Sequence, residues 1–444
     1  MRKANNLEEI DQAVKFNEPI GPDHEFFIDF SQVRGNFDER MVYRSLNVKL
    51  PDFTYDAEQN ALNKSILFIA GMRGTGKTSE LAKYAKKLNG SDCFLCITCN
   101  IDEELDMNNI EYIDILIFQL EKLIDAAADN ALIFDEGILN RMQKWFGERV
   151  QEINKNLKGE TSIEIGVEAG PTLPFIGKLF AKLKAGVSAS TERANSIRTV
   201  FKNRFNDFAE IFNIFIENVN LSLRRNNVAQ EVLFIIDGLE KTMSADLRRK
   251  VILDEYNRIG RIKANTIFTL PIELMREQDK LRAFSTVSSF PYVKIVDING
   301  DKIPETINKF REFIYKRIDT SLFENEELVE EMICLGGGSP RELLRLVQET
   351  AFFADEEKGV IDKKALDRAK NKLGADMVRF ITDEQWAMIK KLYQNNANKI
   401  PTAFNDTIQD LLERLILLEY NDGSYKRVHP LIEITEEFNH YVKN

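Results

Sequence analysis

The sequence predicts an α/β protein with a parallel, three-layer sheet. Two observations carry this reading. Short apolar runs at 65–70, 93–101, 231–241, 265–274 and 291–298 alternate with segments of helical period. The first run leads into "GMRGTGKTS" at 71–79, and that loop opens the next helical segment, "SELAKYAKKL". Strand, glycine-rich loop and helix in that order form a P-loop, GxxxxGK[ST].

Each residue of the loop answers a physical need. Phosphate oxygens must meet several backbone N–H groups that point one way, so the chain must curl where a side chain would obstruct it. The helix N-terminus adds partial positive charge. In this pattern Lys77 reaches the β- and γ-phosphates, and Thr78 offers its hydroxyl to Mg²⁺. The nucleotide-binding set is therefore Gly71, Arg73, Gly74, Thr75, Gly76, Lys77, Thr78 and Ser79. Arg73 is the member whose role the pattern does not supply.

In the strand "EVLFIIDGLEK" Asp237 caps the run Val232 to Ile236, a carboxylate placed to hold the same Mg²⁺. Many ATPases place a catalytic Glu directly after this Asp, but here the residue is Gly238. The next acid, Glu240, either orients an attacking water or starts the following helix, where an acid is favoured anyway. Thr269, near the end of "NTIFTLPIEL", lies beside the γ-phosphate if its strand sits between the P-loop strand and the Asp237 strand. The catalytic candidates are thus Lys77, Asp237, Glu240 and Thr269, and the metal candidates are Thr78 and Asp237. In "CFLCITCNI" at 93–101 the pleat puts Cys93 and Cys99 on one face and Cys96 on the other, so the three read as buried structural thiols.

A long insert separates the second strand from "EVLFIID". Helices are expected at 111–128 and 136–157. The alternation Ile163, Ile165, Val167 reads as a strand, "KAGVSAS" at 184–190 as its returning partner, and "PTLPFIGKLFAKL" as a short amphipathic helix between them. Its apolar residues Phe175, Ile176, Leu179, Phe180 and Leu183 either pack on the protein's own body, the favoured reading, or meet a partner or lipid. One long helix at 192–225 leads back to the sheet.

The C-terminal half reads as helices at 304–318 and 325–334, then "GGGSPRELLRL". Ser339 is its N-cap, Pro340 its first helical residue, and Glu342 the acid of a capping box. Arg341 then falls in the first turn, where it either solvates the helix or reaches nucleotide phosphates. Helices at 383–395 and 403–418 precede a hairpin with Asn421-Asp422-Gly423 at its turn. Two helices and a hairpin read as a winged helix. His429 reads as a packed or capping residue, not a catalytic one.

Taken together, "GMRGTGKT", "VLFIIDGLEK", "IFTLP", "GGGSPRELLRL" and "LLERLILLEYNDGSYKRVHPLIE" resemble a bacterial STAND-type ATPase of the AAA+ superfamily, near its origin-recognition-like branch. The resemblance spans 65–440. It implies a P-loop NTPase core with five parallel strands in the order 5-1-4-3-2, followed by an α-helical lid and a winged-helix domain. It implies ATP or ADP with Mg²⁺ as ligands, Lys77 and Thr78 as their binding residues, Asp237 as the Walker B acid, Thr269 as sensor 1 and Arg341 as a sensor-2-like arginine. The implied domains are a linker at 1–50 packing near the nucleotide, a core at 51–300 with the insert at 111–200, a lid at 301–375 and the winged helix at 376–444. Proteins of this kind act as ATP-controlled switches, many in signalling or anti-phage defence.

Composition narrows the partners. The chain of 444 residues is long enough for two or three domains. It carries a net charge of −11, no basic stripe and four cysteines, and it starts without an apolar leader. This points to a cytoplasmic protein without a membrane span. A protein partner or self-assembly is expected beside the nucleotide, and nucleic acid is not favoured. Two other readings stand: a DNA-associated ATPase (a loader or transposition helper), and a scaffold that keeps nucleotide as a structural ligand.

Overall fold

The computed structural model describes residues 1–35, 37–56, 64–157, 163, 172–189, 191–241, 244–282, 285–297, 300–421 and 425–443. They group into two compact units. A sheet unit holds Arg40–Ala70 and Tyr84–Ser288, and a helical unit holds Met1–Glu39, Gly71–Lys83 and Ser289–Asn444.

The sheet unit is built on five strands: β1 (Ile66–Ala70), β2 (Phe94–Asn100), β3 (Glu231–Asp237), β4 (Asn265–Leu270) and β5 (Thr286–Ser289). Their order across the sheet is β2-β3-β4-β1-β5, the expected 5-1-4-3-2. β1 pairs with β4, β4 with β3 and β3 with β2, all in parallel. Every residue of β3 and β4 is buried. That is why these strands read as continuous apolar runs and not as alternating ones: a parallel sheet is covered on both faces.

α1 (Lys77–Leu88) follows the P-loop. α2 (Tyr112–Asp129) and α3 (Glu136–Asn156) form within two residues of the expected ranges. The rest of the insert differs from expectation. α4 (Leu173–Ala189) occupies the stretch expected to return as a strand at 184–190. The small residues there allow close helix packing: a Cβ on Gly186 would stand 2.6 Å from Ile197 Cδ1 on α5 (Thr191–Asn203). The expected strand at 163–167 lies outside the described residues except for Ile163, whose N–H and carbonyl both bond the Asn154 side chain. α4 packs along α2. Phe175, Ile176, Leu179, Phe180 and Leu183 are all buried, so they serve the protein's own core and offer nothing to lipid or a partner. The single helix expected at 192–225 is two, α5 and α6 (Phe205–Arg225), broken at Arg204.

The fifth strand also differs. It was expected at 291–298, but β5 lies at Thr286–Ser289. The apolar run after it spends its hydrogen bonds elsewhere: Val293 N–H bonds Gly338 O, and Ile295 O accepts from Ile303. Tyr292, Val293 and Ile295 are buried by side-chain packing, not by a sheet. Buried loop and buried strand give the same apolar pattern in a short run.

The helical unit contains α7 (Pro304–Tyr315), α8 (Glu326–Leu335), α9 (Pro340–Phe352), α10 (Lys363–Val378), α11 (Asp383–Ala397) and α12 (Asp406–Glu413). α12 stops five residues earlier than expected, and Leu415 follows at φ 59°. A hairpin of β6 (Leu417–Tyr420) and β7 (Tyr425–Val428) follows in antiparallel register; residues 422–424 of its expected turn lie outside the described residues. The N-terminal segment is part of this unit's core. Phe30 sits 4.7 Å from Phe310 and 5.6 Å from Phe313 between ring centroids, and Ala4 exchanges backbone hydrogen bonds with Arg317 and Asp319.

Candidate nucleotide site

Two groups of candidate residues come together, each within its own unit. The first is the P-loop in the helical unit. Lys77 is buried, and its Nζ donates to the Gly71 and Met72 carbonyls at 2.9 and 2.8 Å. These neutral acceptors hold an ammonium inside the loop, where an anion would compete for it. Thr75 Oγ1 donates to Met72 O at 3.0 Å and closes the curl. Thr78 and Ser79 are half-buried on the first turn of α1, and Arg73 is exposed.

Gly74 shows why the loop needs a glycine there. Its φ is +79°, and a Cβ would stand 2.9 Å from Ser339 Oγ and 3.2 Å from Arg341 Cβ. The start of α9 therefore lies against the P-loop backbone. Ser339 Oγ accepts from Glu342 N–H, capping the helix, and donates to Gly74 O at 3.1 Å. One hydroxyl fixes the helix start and ties it to the loop. Arg341, read from sequence as a first-turn arginine and by resemblance as a sensor-2-like one, sits beside Gly74 through its Cβ and Cδ. Tyr292 adds a second tie, donating to Arg73 O at 2.6 Å. Burial beside the Glu342 carboxylate pushes the Tyr292 phenol well above its ordinary pKa, so it stays a donor.

The N-terminal segment closes another side of the loop. Ile20 N–H donates to Ser79 Oγ at 3.3 Å. Lys83, one turn further along α1, is nearly enclosed and pairs with Glu80, Glu39 and Asp29 at 2.6, 2.9 and 3.1 Å. Although its burial opposes the charge, these three carboxylates raise the Lys83 pKa. Arg34 donates to Pro291 O at 2.8 Å and lies 4.0 Å over the Phe290 ring. Beside Gly76 and Ser79 runs a narrow cleft of about 60 Å³, walled by Phe26, Phe27, Phe30 and Phe313, with Arg34 and Arg317 in its lining.

The second group lies at the C-terminal ends of β2, β3 and β4 in the sheet unit. Asp237 is 2% exposed and ends β3. β4 does lie between β1 and β3, which is the condition set for Thr269. Gly238 N–H bonds Asp237 Oδ1 at 2.9 Å and Thr269 Oγ1 at 3.1 Å, so one amide gathers both side chains. Glu240 is buried on the turn at 239–241 that follows. Sequence reading missed Asp102, on the short helix Ile101–Glu104 that follows β2. It pairs with Lys241 at 2.6 Å, and a Cβ on Gly238 would stand 2.4 Å from its Oδ1.

The thiols of Cys93, Cys96 and Cys99 are pushed up by burial, Cys93 to about 12, so they are inert at neutral pH. Among the described residues, no three or more His, Cys, Asp or Glu are grouped so as to hold a metal ion.

No family model matches the sequence, and no curated protein does. Solved structures are similar to the chain, two of them over nearly its whole length. One is a Walker-type ATPase of Pyrococcus abyssi, 13% identical, covering 92% of this chain and 98% of that one, with TM-score 0.39. The other is Cdc6p from Pyrobaculum aerophilum, 9% identical, covering 98% of each chain, with TM-score 0.37.

Proposed function

We propose that the chain binds ATP or ADP at its P-loop and works as a nucleotide-controlled switch with slow hydrolysis. The observation that supports it best is the contact of the capped α9 start with the loop at Gly74. A ligand on the loop N–H groups would be felt directly by Ser339 and Arg341.

In this reading the loop amides and Lys77 hold the β- and γ-phosphates, and Arg341 adds a cation from α9. The N-terminal segment shields the nucleoside. Mg²⁺ would neutralise phosphate charge, with Thr78 and Asp237 as the ligands the motifs assign to it. Asp237 suits a metal because it is a buried carboxylate with Oδ1 oriented by Gly238 N–H. Thr269, fixed by the same amide, would sense the γ-phosphate, and buried Glu240 would orient water. The regions 301–375 and 376–444 would serve as lid and winged helix of a STAND-like ATPase, its output a partner or self-assembly in signalling or defence. The hairpin cations speak against gripping DNA, because Lys426 pairs with Glu419 at 3.1 Å and Arg427 with Glu433 at 2.8 Å.

Amide hydrogen exchange tests the switch. ATP with Mg²⁺ should slow exchange over 337–346 in the wild type and leave Lys77→Ala unchanged; no slowing in the wild type would remove the switch. Phosphate release by Glu240→Gln should fall at least tenfold, and an equal rate would take Glu240 out of the chemistry.

A further inference from the structure

Arg317 entered neither the motifs nor the site read from them. It follows α7, and only 3% of its surface is exposed. Its guanidinium lies 3.9 Å from the centre of the Phe313 ring and 5.4 Å from that of Phe26. One N–H is used: Nη1 donates to Phe313 O at 2.8 Å. Nε is buried without a hydrogen-bond partner among the described residues. Burial alone pulls the group down to about 9, and no carboxylate offsets it. It remains a cation at neutral pH.

A buried cation with an unmet donor is costly unless something else meets it. Arg317 lines the cleft that Gly76 and Ser79 of the P-loop also line. We infer that Arg317 selects the base of the bound nucleotide, donating from its free edge to acceptors on a purine ring. This rests on the nucleotide-binding reading above.

The chemistry favours a base over a phosphate. In P-loops the phosphates are met by backbone amides and the lysine. Phe313 and Phe26 lie against the Arg317 guanidinium, and Phe27 and Phe30 also line the cleft, a lining suited to a flat ring and not to a polyphosphate. A guanidinium only donates, and both purines present an N7 acceptor on a five-membered ring that no pyrimidine carries. Guanidinium planes and aromatic rings are also the surfaces on which bases stack.

The test uses the whole chain with ATP, GTP, CTP and inorganic tripolyphosphate as competitors of labelled ATP. The wild type should favour purine triphosphates over CTP by at least tenfold. Arg317→Met should weaken ATP at least tenfold while tripolyphosphate changes less than twofold. Arg317→Lys keeps the charge but loses the planar fork and should behave alike; it replaces the methionine variant if circular dichroism shows that one unfolded. Equal weakening of ATP and tripolyphosphate would make Arg317 a phosphate contact and overturn the inference. So would unchanged ATP binding in the variants, or a wild type that binds CTP as well as ATP. A wild type that binds neither ATP nor tripolyphosphate fails at the P-loop itself; one that binds tripolyphosphate as tightly as ATP upholds the P-loop and overturns only the role of Arg317.

Discussion

Gly238 stands where many ATPases carry a catalytic glutamate, and the structure explains the substitution. Its φ is +100°, and Asp102 occupies the space a Cβ would need. Gly238→Glu would add backbone strain and set a carboxylate against another. It should cost about 2–4 kcal/mol, read as a lower denaturant midpoint, and should not speed hydrolysis. An unchanged midpoint would show that the turn can relax. His429 carries a second prediction at this scale. Burial, helped by Arg345 and Arg427, pulls its pKa to about 3. Its Nδ1 accepts from Leu431 N–H, so the folded form is neutral with the proton on Nε2. Between pH 6.5 and about 3 the unfolded chain binds a proton that the folded chain does not. Stability from this group is therefore full above about pH 6.5 and falls on acidification by about 1.4 kcal/mol per unit. Urea midpoints from about pH 7 to 5 should fall less in His429→Asn than in the wild type. The loop was legible because a phosphate cradle is one contiguous run of residue types. Asp102 and Arg317 were not, because what gives them meaning lies far away in the sequence.

At the scale of elements, the central strands were legible and the insert was only partly so. β3 and β4 are buried on both faces, which only an apolar run satisfies. β5, "TVSS", is short and half-polar, so a more apolar stretch after it competed for its place. In the insert, α4 holds glycines and alanines that also suit a turn or strand, and packing against α5 decides for helix. What fixes the insert is a buried ion pair between α2 and α5. Arg198 Nε donates to both Asp114 oxygens at 3.0 Å, and Nη2 reaches Asp114 Oδ2 at 2.6 Å and Asn109 O. Burial raises the Asp114 pKa against the pull of Arg198, so the pair exists at the expense of desolvation. Removing one partner leaves the other charge stranded. Asp114→Ala should lose about 3–5 kcal/mol in equilibrium unfolding, and a loss under about 1 kcal/mol would show that water reaches Arg198.

For the whole molecule, the P-loop groups with the C-terminal half and the N-terminal segment, although in sequence it directly follows the first of the sheet's five strands. The helical unit alone thus holds the loop, Ser339, Arg341, Arg34 and Arg317. Among the described residues no helix is long and apolar enough to cross a membrane. The most direct test of the account is calorimetric titration of the whole chain with ATP and Mg²⁺, beside Lys77→Ala. ATP should bind the wild type in the micromolar range and the variant at least about a hundredfold more weakly, roughly 2.7 kcal/mol. Equal affinity in the two proteins, or no heat of binding in the wild type, would contradict it.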